Sequence, residues 1–201
     1  LWFTMKNLTI LFLFFCSFSF GQLMPSEIET KRKEHIKELS DTSKGILNSE
    51  EVEHLGEIAY FDYDENYLIT GTFTKSIGKK FKMPTSTERT PIYRRYGYVD
   101  FIYKSDTVRL EVYQNMALRK QEEYKNYLFI PFKDATSAKE TYGGGRYIDL
   151  QIPNNAKMIL DFNTAYNPYC AYSYRYSCPI PPKVNHIIIE INAGEKTPTG
   201  Q

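Results

Sequence analysis

The chain has 201 residues, with 25 Lys and Arg against 24 Asp and Glu, and a formal net charge of +1 at pH 7. So even a balance leaves no electrostatic footprint for nucleic acid or an anionic membrane surface. Its length suits one domain with an ordinary core, and its 17 Tyr point to half-buried pleated surfaces.

Leu1 to Thr4 precede the first Met, Met5, and read as an upstream extension without a structural role. Lys6 then supplies a short positive segment, and Leu8 to Phe20 is an uncharged run dominated by Leu, Ile and Phe. At about 13 residues this run is shorter than the roughly 20 needed to cross a bilayer as a helix. Ser19 and Gly21 place small residues at the −3 and −1 positions of a cut before Gln22. The pattern predicts a signal peptide over residues 5–21, a periplasmic or secreted mature chain over 22–201, and no membrane anchor. Cys16 invites a lipoprotein reading, but the preceding Leu13, Phe14 and Phe15 put a bulky aromatic where lipoprotein processing asks for Gly, Ala or Ser.

Loss of the leader removes Lys6 and no acid, which leaves a neutral mature chain. It also removes Cys16, so two cysteines remain, Cys170 and Cys178. In an oxidising compartment so close a pair most simply forms a disulfide, worth roughly 2–3 kcal/mol on the chain-entropy argument. Zinc asks for three or four ligands at short spacing, and the histidines, His35, His54 and His186, do not supply them. No cofactor or metal is expected.

From Pro25 to about Asp41 the chain is charged and strong in helix formers, with a thin apolar stripe at Ile28, Ile36 and Leu39. The spacing predicts a helix, capped near Ser26, on which Lys31, Arg32 and Lys33 form a solvated face among Glu27, Glu29 and Glu34. Asn48 opens a second short helix with Glu50, Glu51 and Glu53 in its first turns, and Gly56 ends it.

From Ile58 the period changes to two. Ile58–Phe61 and Tyr67–Thr74 flank a turn at Asp62 to Asn66, and a short basic strand follows at Lys79 to Met83. Tyr98–Tyr103 and Thr107–Tyr113 enclose Lys104, Ser105 and Asp106 as a hairpin. In its second strand Val108, Leu110 and Val112 face the core, and Arg109, Glu111 and Tyr113 face water. Asn115 to Lys125 is polar, a loop or helical excursion. Tyr127–Phe132, Gly145–Ile152, Met158–Phe162 and Val184–Ile191 complete the strands. With no alternation of strands and helices, the fold class is mainly β: an antiparallel sandwich or barrel of about eight to nine strands, with one or two N-terminal helices.

Three runs, FKDATSAKETYGGGRYIDL, LDFNTAYNPYCAYSYRYSCPIPP and AGEK, resemble the DUF1684 family, bacterial and archaeal proteins of unknown function. The resemblance extends more loosely upstream through SKGILNSEEVEHLGEIAYFDYDENY, so it covers most of the mature chain. It is carried by Phe132, Asp134, Thr136, Thr141, Tyr142, Gly145, Arg146, Asp161, Asn163, Asn167, Cys170, Cys178, Pro179, Pro181, Pro182, Gly194 and Glu195. It implies no activity. Ala138 stands where the family usually has Gly, which suggests an altered turn.

Gly143 to Gly145 lead into a strand at Arg146 and not into a helix, so they read as a tight turn with positive φ and not as a phosphate cradle. Strand alternation puts Arg146 on the buried face with Ile148, Leu150 and Ile152, where a guanidinium needs a carboxylate. Asp161 is the first candidate partner and Asp134 the second, while Asp149 points to the opposite face. Either this is a structural ion pair, or it floors an anion or carboxylate site lined by Asn163 and Asn167. Five tyrosines and Arg175 between Tyr166 and Tyr176 offer a surface for a small molecule, sugar or peptide, or simply cover the Cys loop.

Two functional readings result. One is an exported ligand-binding or interaction module with a polar pocket around Arg146 and a Tyr-rich, disulfide-closed loop. The other is a hydrolase-like enzyme using Asp149, Asp161 or Glu195 in the same cleft. A Cys170–His186 nucleophile pair would lose its thiol to the disulfide, and a Ser177, His186, Asp161 set lacks a nucleophile-elbow sequence.

Overall fold

The computed structural model describes residues 23–200. The leader, Cys16 and the cut before Gln22 lie outside the described residues. Helix α1 (Pro25–Ser40) starts with Pro in its first turn, where the missing N–H would have no helical partner. Met24, not Ser26, is the cap residue, and its N–H is taken by Glu27 Oε2 at 2.6 Å. The stripe buries Ile28 and Leu39 and half-buries Ile36. The expected solvated face holds for Lys31 and Lys33 but not for Arg32, which is buried and donates to the carbonyls of Phe61 and Asn163 at 3.0 and 3.2 Å. Helix α2 (Ser49–Glu53) opens on a reciprocal cap: Asn48 Oδ1 accepts the Glu51 N–H and Glu51 Oε2 accepts the Asn48 N–H, both at 2.8 Å.

The described residues form one antiparallel sheet of seven strands: β1 (Leu68–Lys75), β2 (Lys80–Lys82), β3 (Ile92–Tyr103), β4 (Asp106–Asn115), β5 (Tyr127–Phe132), β6 (Arg146–Gln151) and β7 (Lys157–Asp161). The spatial order is β6-β5-β4-β3-β1-β7, with β2 also paired to β3. The β3–β4 hairpin is the longest pairing, from Tyr93 opposite Asn115 to Tyr103 opposite Asp106. Its register shifts between Arg95 and Gly97, a bulge that bends the sheet. Beyond β7 the chain returns to the far edge, where Tyr166 exchanges both backbone hydrogen bonds with Tyr147. The sheet is thereby curled into a half-barrel.

The concave side holds the main core, in which Val99, Leu110, Val112, Leu128, Ile130, Phe132 and Leu160 are fully enclosed. The outer face is not simply wet. Tyr113 is 2% exposed there, in a second cluster with Met83, Tyr93, Phe129 and Tyr147 that the Cys170–Cys178 segment covers.

Two expected strands are absent. Ile58–Phe61 does not pair with β1; it runs beside the C-terminal segment, with Phe61 N–H to Gly194 O and Lys196 N–H to Ala59 O, both at 2.9 Å. Val184–Ile191 begins inside a 3-10 turn (Lys183–Asn185) and then follows Lys133 to Ala135 without building a ladder. The carbonyls that would extend it, at Ile191 and Ala193, are taken by a side chain, that of Arg146.

Candidate functional site

Arg146 opens β6 opposite Phe132 and is 1% exposed, as strand alternation predicts. Its Nη1 donates to the carbonyls of Ala193 and Glu195, and its Nη2 to Ile191 O at 2.9 Å and Asp134 Oδ1 at 3.4 Å. The carboxylate partner is therefore Asp134 and not Asp161. Asp134 Oδ2 also accepts the Thr136 hydroxyl at 2.7 Å and the Ile191 N–H at 2.8 Å, so a buried charge pair is well supplied with further hydrogen bonds. Burial pulls the guanidinium pKa down, against the pull of Asp134. Arg146 is a clasp for the irregular C-terminal segment: both its terminal nitrogens are engaged by the protein.

Asp161 ends β7 and turns back on itself, its Oδ1 accepting both the N–H and the side-chain amide of Asn163 at 3.0 Å. Asn163, 1% exposed, also exchanges hydrogen bonds with the backbone of Asp64 through Oδ1 and Nδ2, both at 3.0 Å. Neither residue faces Arg146's donors. Both fasten the loop before β1 to the end of β7.

Asn167 belongs to a different group. Its N–H donates to Glu195 Oε2 at 2.8 Å and its amide to Lys196 O at 2.7 Å, while its Oδ1 has no partner among the described residues. Glu195 is fully buried, and its other oxygen accepts the Tyr172 hydroxyl. His35, from α1, brings Nε2 to 3.9 Å of Glu195 Oε2. Burial raises the Glu195 pKa to about 8, against the lowering effect of the Asn167 bonds, and burial lowers that of His35. Burial therefore favours the protonated acid at Glu195 and the neutral imidazole at His35.

The open polar group is Asp149, on the outer face of β6 opposite Phe129. Its Oδ1 accepts the hydroxyls of Tyr127 and Tyr166 at 2.6 and 2.8 Å, and no described residue donates to Oδ2. The residue reaches the surface, but the rings packed round it desolvate the carboxyl and raise its pKa, while the two phenols lower it. Tyr124 meets Tyr127 edge-on at 5.9 Å, and Tyr147 meets Tyr166 edge-on at 5.8 Å. Tyr93 and Tyr169 also lie near enough to feel the Asp149 charge.

The five loop tyrosines do not form one surface. Tyr166 serves Asp149, Tyr172 serves Glu195, Tyr169 packs on Tyr176 at 5.0 Å, and Tyr174 is 99% exposed. Arg175 is tied to Glu51 of α2 at 2.6 Å, and its guanidinium is the main reason the Glu51 pKa falls to about 2. Cys170 and Cys178 are thiols in this structure, with the Cys170 N–H donating to Cys178 Sγ at 3.2 Å.

Ser177 bonds Thr85 and Thr87, and His186 Nε2 bonds Pro181 O at 3.0 Å, so the Ser177, His186, Asp161 set is not assembled. Gly145 has φ +93° as the turn reading requires, and an added Cβ would meet Phe132 O at 2.6 Å. Among the described residues no group of three or more His, Cys, Asp or Glu could hold a metal ion.

The model of the family "Protein of unknown function (DUF1684)" matches residues 53–196, well over half of the chain. The chain belongs to the DUF1684 family. It is also similar to the solution NMR structure of the uncharacterized protein from gene locus rrnAC0354 of Haloarcula marismortui. The two share 31% identity and a TM-score of 0.65, over 86% of this chain and 93% of that one. No curated protein matches the chain.

The polar positions named for the DUF1684 resemblance thus include the Arg146 and Asp134 clasp, which Thr136 and Thr141 back, the Asp161 and Asn163 turn, and the Glu195 and Asn167 group. Sequence reading missed His35, Tyr60 and Arg32, which reach this layer from distant segments. Arg32 lies over the Tyr60 ring at 4.7 Å. The sequence signal available for Arg32 was its place between Ile28 and Ile36 on the apolar stripe of α1.

Proposed function

We propose that this chain is an exported binding module that receives its ligand on the outer face of β5 and β6, at Asp149. The observation that carries this reading is an exposed carboxylate steadied by two phenols through one oxygen, which leaves the other oxygen open within a surround of tyrosines. A hydroxyl of a sugar or an N–H of a peptide supplies the donor that Oδ2 accepts, and the rings offer contact area at low entropy cost. The pocket expected around Arg146 gives way to this site, because both terminal nitrogens of Arg146 are spent on Asp134 and three carbonyls and its Nε is buried without a partner among the described residues. Export through the leader at Met5 to Gly21 and oxidation of Cys170 with Cys178 to a disulfide belong to the same proposal.

The hydrolase-like reading has less support. Asp149 is held by Tyr127 and Tyr166, Asp161 by Asn163, and Glu195 by Asn167 and Tyr172, three sets with no member in common.

The test is a thermal-shift screen of mono- and oligosaccharides and short peptides against the wild type and Asp149→Asn. A compound that raises Tm of the wild type alone supports the site. A shift that persists in the variant, or a panel without any shift, contradicts it.

A further inference from the structure

Cys170 and Cys178 occupy unequal positions. Cys178 is 9% exposed and pinned on both sides of its Cα, its N–H donating to Ser86 Oγ at 3.1 Å and its carbonyl accepting the Ser86 N–H at 2.9 Å. Cys170 sits in a single 3-10 turn, Tyr169–Ala171, and is half-buried. Its N–H meets Cys178 Sγ at 3.2 Å, and the Tyr142 hydroxyl stands 3.9 Å from its own sulfur. Gly144 makes room for that ring, since a Cβ there would lie 2.2 Å from Tyr142 Cε1.

We propose that Cys170 and Cys178 form a thiol–disulfide exchange site for small-molecule disulfides, in which Cys170 attacks and Cys178 resolves. This goes beyond a static staple and does not depend on the Asp149 reading. The inequality of the two sulfurs sets the order: the reachable one meets the external disulfide, and the enclosed one waits beside it. Hydrogen bonding from Cys178, with smaller help from Tyr142 and Ser86, lowers the Cys170 pKa to about 7 against burial, whereas the same bond and burial push Cys178 far up. A thiol with a pKa near ambient pH is well placed to attack.

The chemistry balances with an external disulfide R–S–S–R as oxidant. The Cys170 thiolate attacks one sulfur, an S–S bond forms to Cys170, and RS⁻ leaves. Cys178 then gives its proton to solvent and attacks the Cys170 sulfur, closing the internal disulfide and expelling the second RS⁻. Two electrons pass from the dithiol to the external disulfide.

The test mixes the fully reduced protein with oxidised glutathione, quenches with acid and maps adducts by mass spectrometry. In the wild type the first adduct falls on Cys170 and gives way to the internal disulfide. Cys178→Ser accumulates the Cys170 adduct, and Cys170→Ser reacts at least tenfold more slowly. A first adduct on Cys178, no internal disulfide, or an undiminished rate in Cys170→Ser overturns the proposal. The wild-type map decides the order even if a variant fails to fold.

Discussion

Replacing Glu195 by Gln should remove the part of the pH dependence of stability between pH 4.5 and 8 that this one carboxyl carries. The carboxyl is fully buried, and its folded pKa of about 8 lies above the ordinary 4.5. Within that interval the folded state holds one proton that the unfolded state has lost. Stability is therefore complete below 4.5 and falls as pH rises through the folded pKa, at about 1.4 kcal/mol per pH unit. Over the whole interval the loss is on the order of 5 kcal/mol, a large part of a typical domain's stability. Gln keeps an oxygen for the Asn167 N–H and offers an amide to the Tyr172 oxygen, so it imitates the protonated acid. His35 acts with the opposite sign: its lowered pKa gives stability that is present above 6.5 and lost as pH falls below it. Urea unfolding at unit steps from pH 5 to 9 measures the difference between wild type and Glu195→Gln. That difference should shift in favour of Gln as pH rises to about 8 and level off above it. Parallel curves would refute the assignment of Glu195 as a buried neutral acid.

Arg146→Met should cost about 3–5 kcal/mol in urea unfolding, because it strands the Asp134 carboxylate and leaves three carbonyls without their donor; a loss below about 1 kcal/mol would refute the clasp. Ala138 has φ +65°, a conformation that favours Gly, so Ala138→Gly should stabilise by about 0.5–1 kcal/mol, read as a higher Tm. An unchanged or lower Tm would show that the turn is not strained by its Cβ. Gly144→Ala should displace the Tyr142 ring and shift the pH midpoint of Cys170 alkylation upward; an unmoved midpoint would remove Tyr142 from the thiol's environment.

Much of the sheet was legible because its alternation is clean. Val108, Leu110 and Val112 mark β4, and the same period marks Arg146 as buried in β6. The partner of Arg146 was not legible, because it depends on strand order. Asp161 looked adjacent in sequence pattern, yet β7 pairs with β1. β6 pairs with β5, and the register that sets Phe132 opposite Arg146 brings Asp134, two residues further on, within reach. The Ile187, Ile189, Ile191 alternation imitates a strand, since Ile189 and Ile191 do point into the core. Its backbone, however, serves the Arg146 guanidinium. Tyr113 was read as facing water because alternation distinguishes two faces of a strand without revealing what covers the second. His35 and Glu195 meet across most of the chain length, a proximity that no local period encodes.

The claim that Asp149 is the ligand-binding centre is tested most directly by calorimetric titration. The saccharide or peptide giving the largest thermal shift is titrated into the wild type and Asp149→Asn at pH 7. The account predicts saturable binding to the wild type and at least a tenfold weaker Kd for a variant of unchanged circular dichroism. Equal affinities would place the binding site elsewhere.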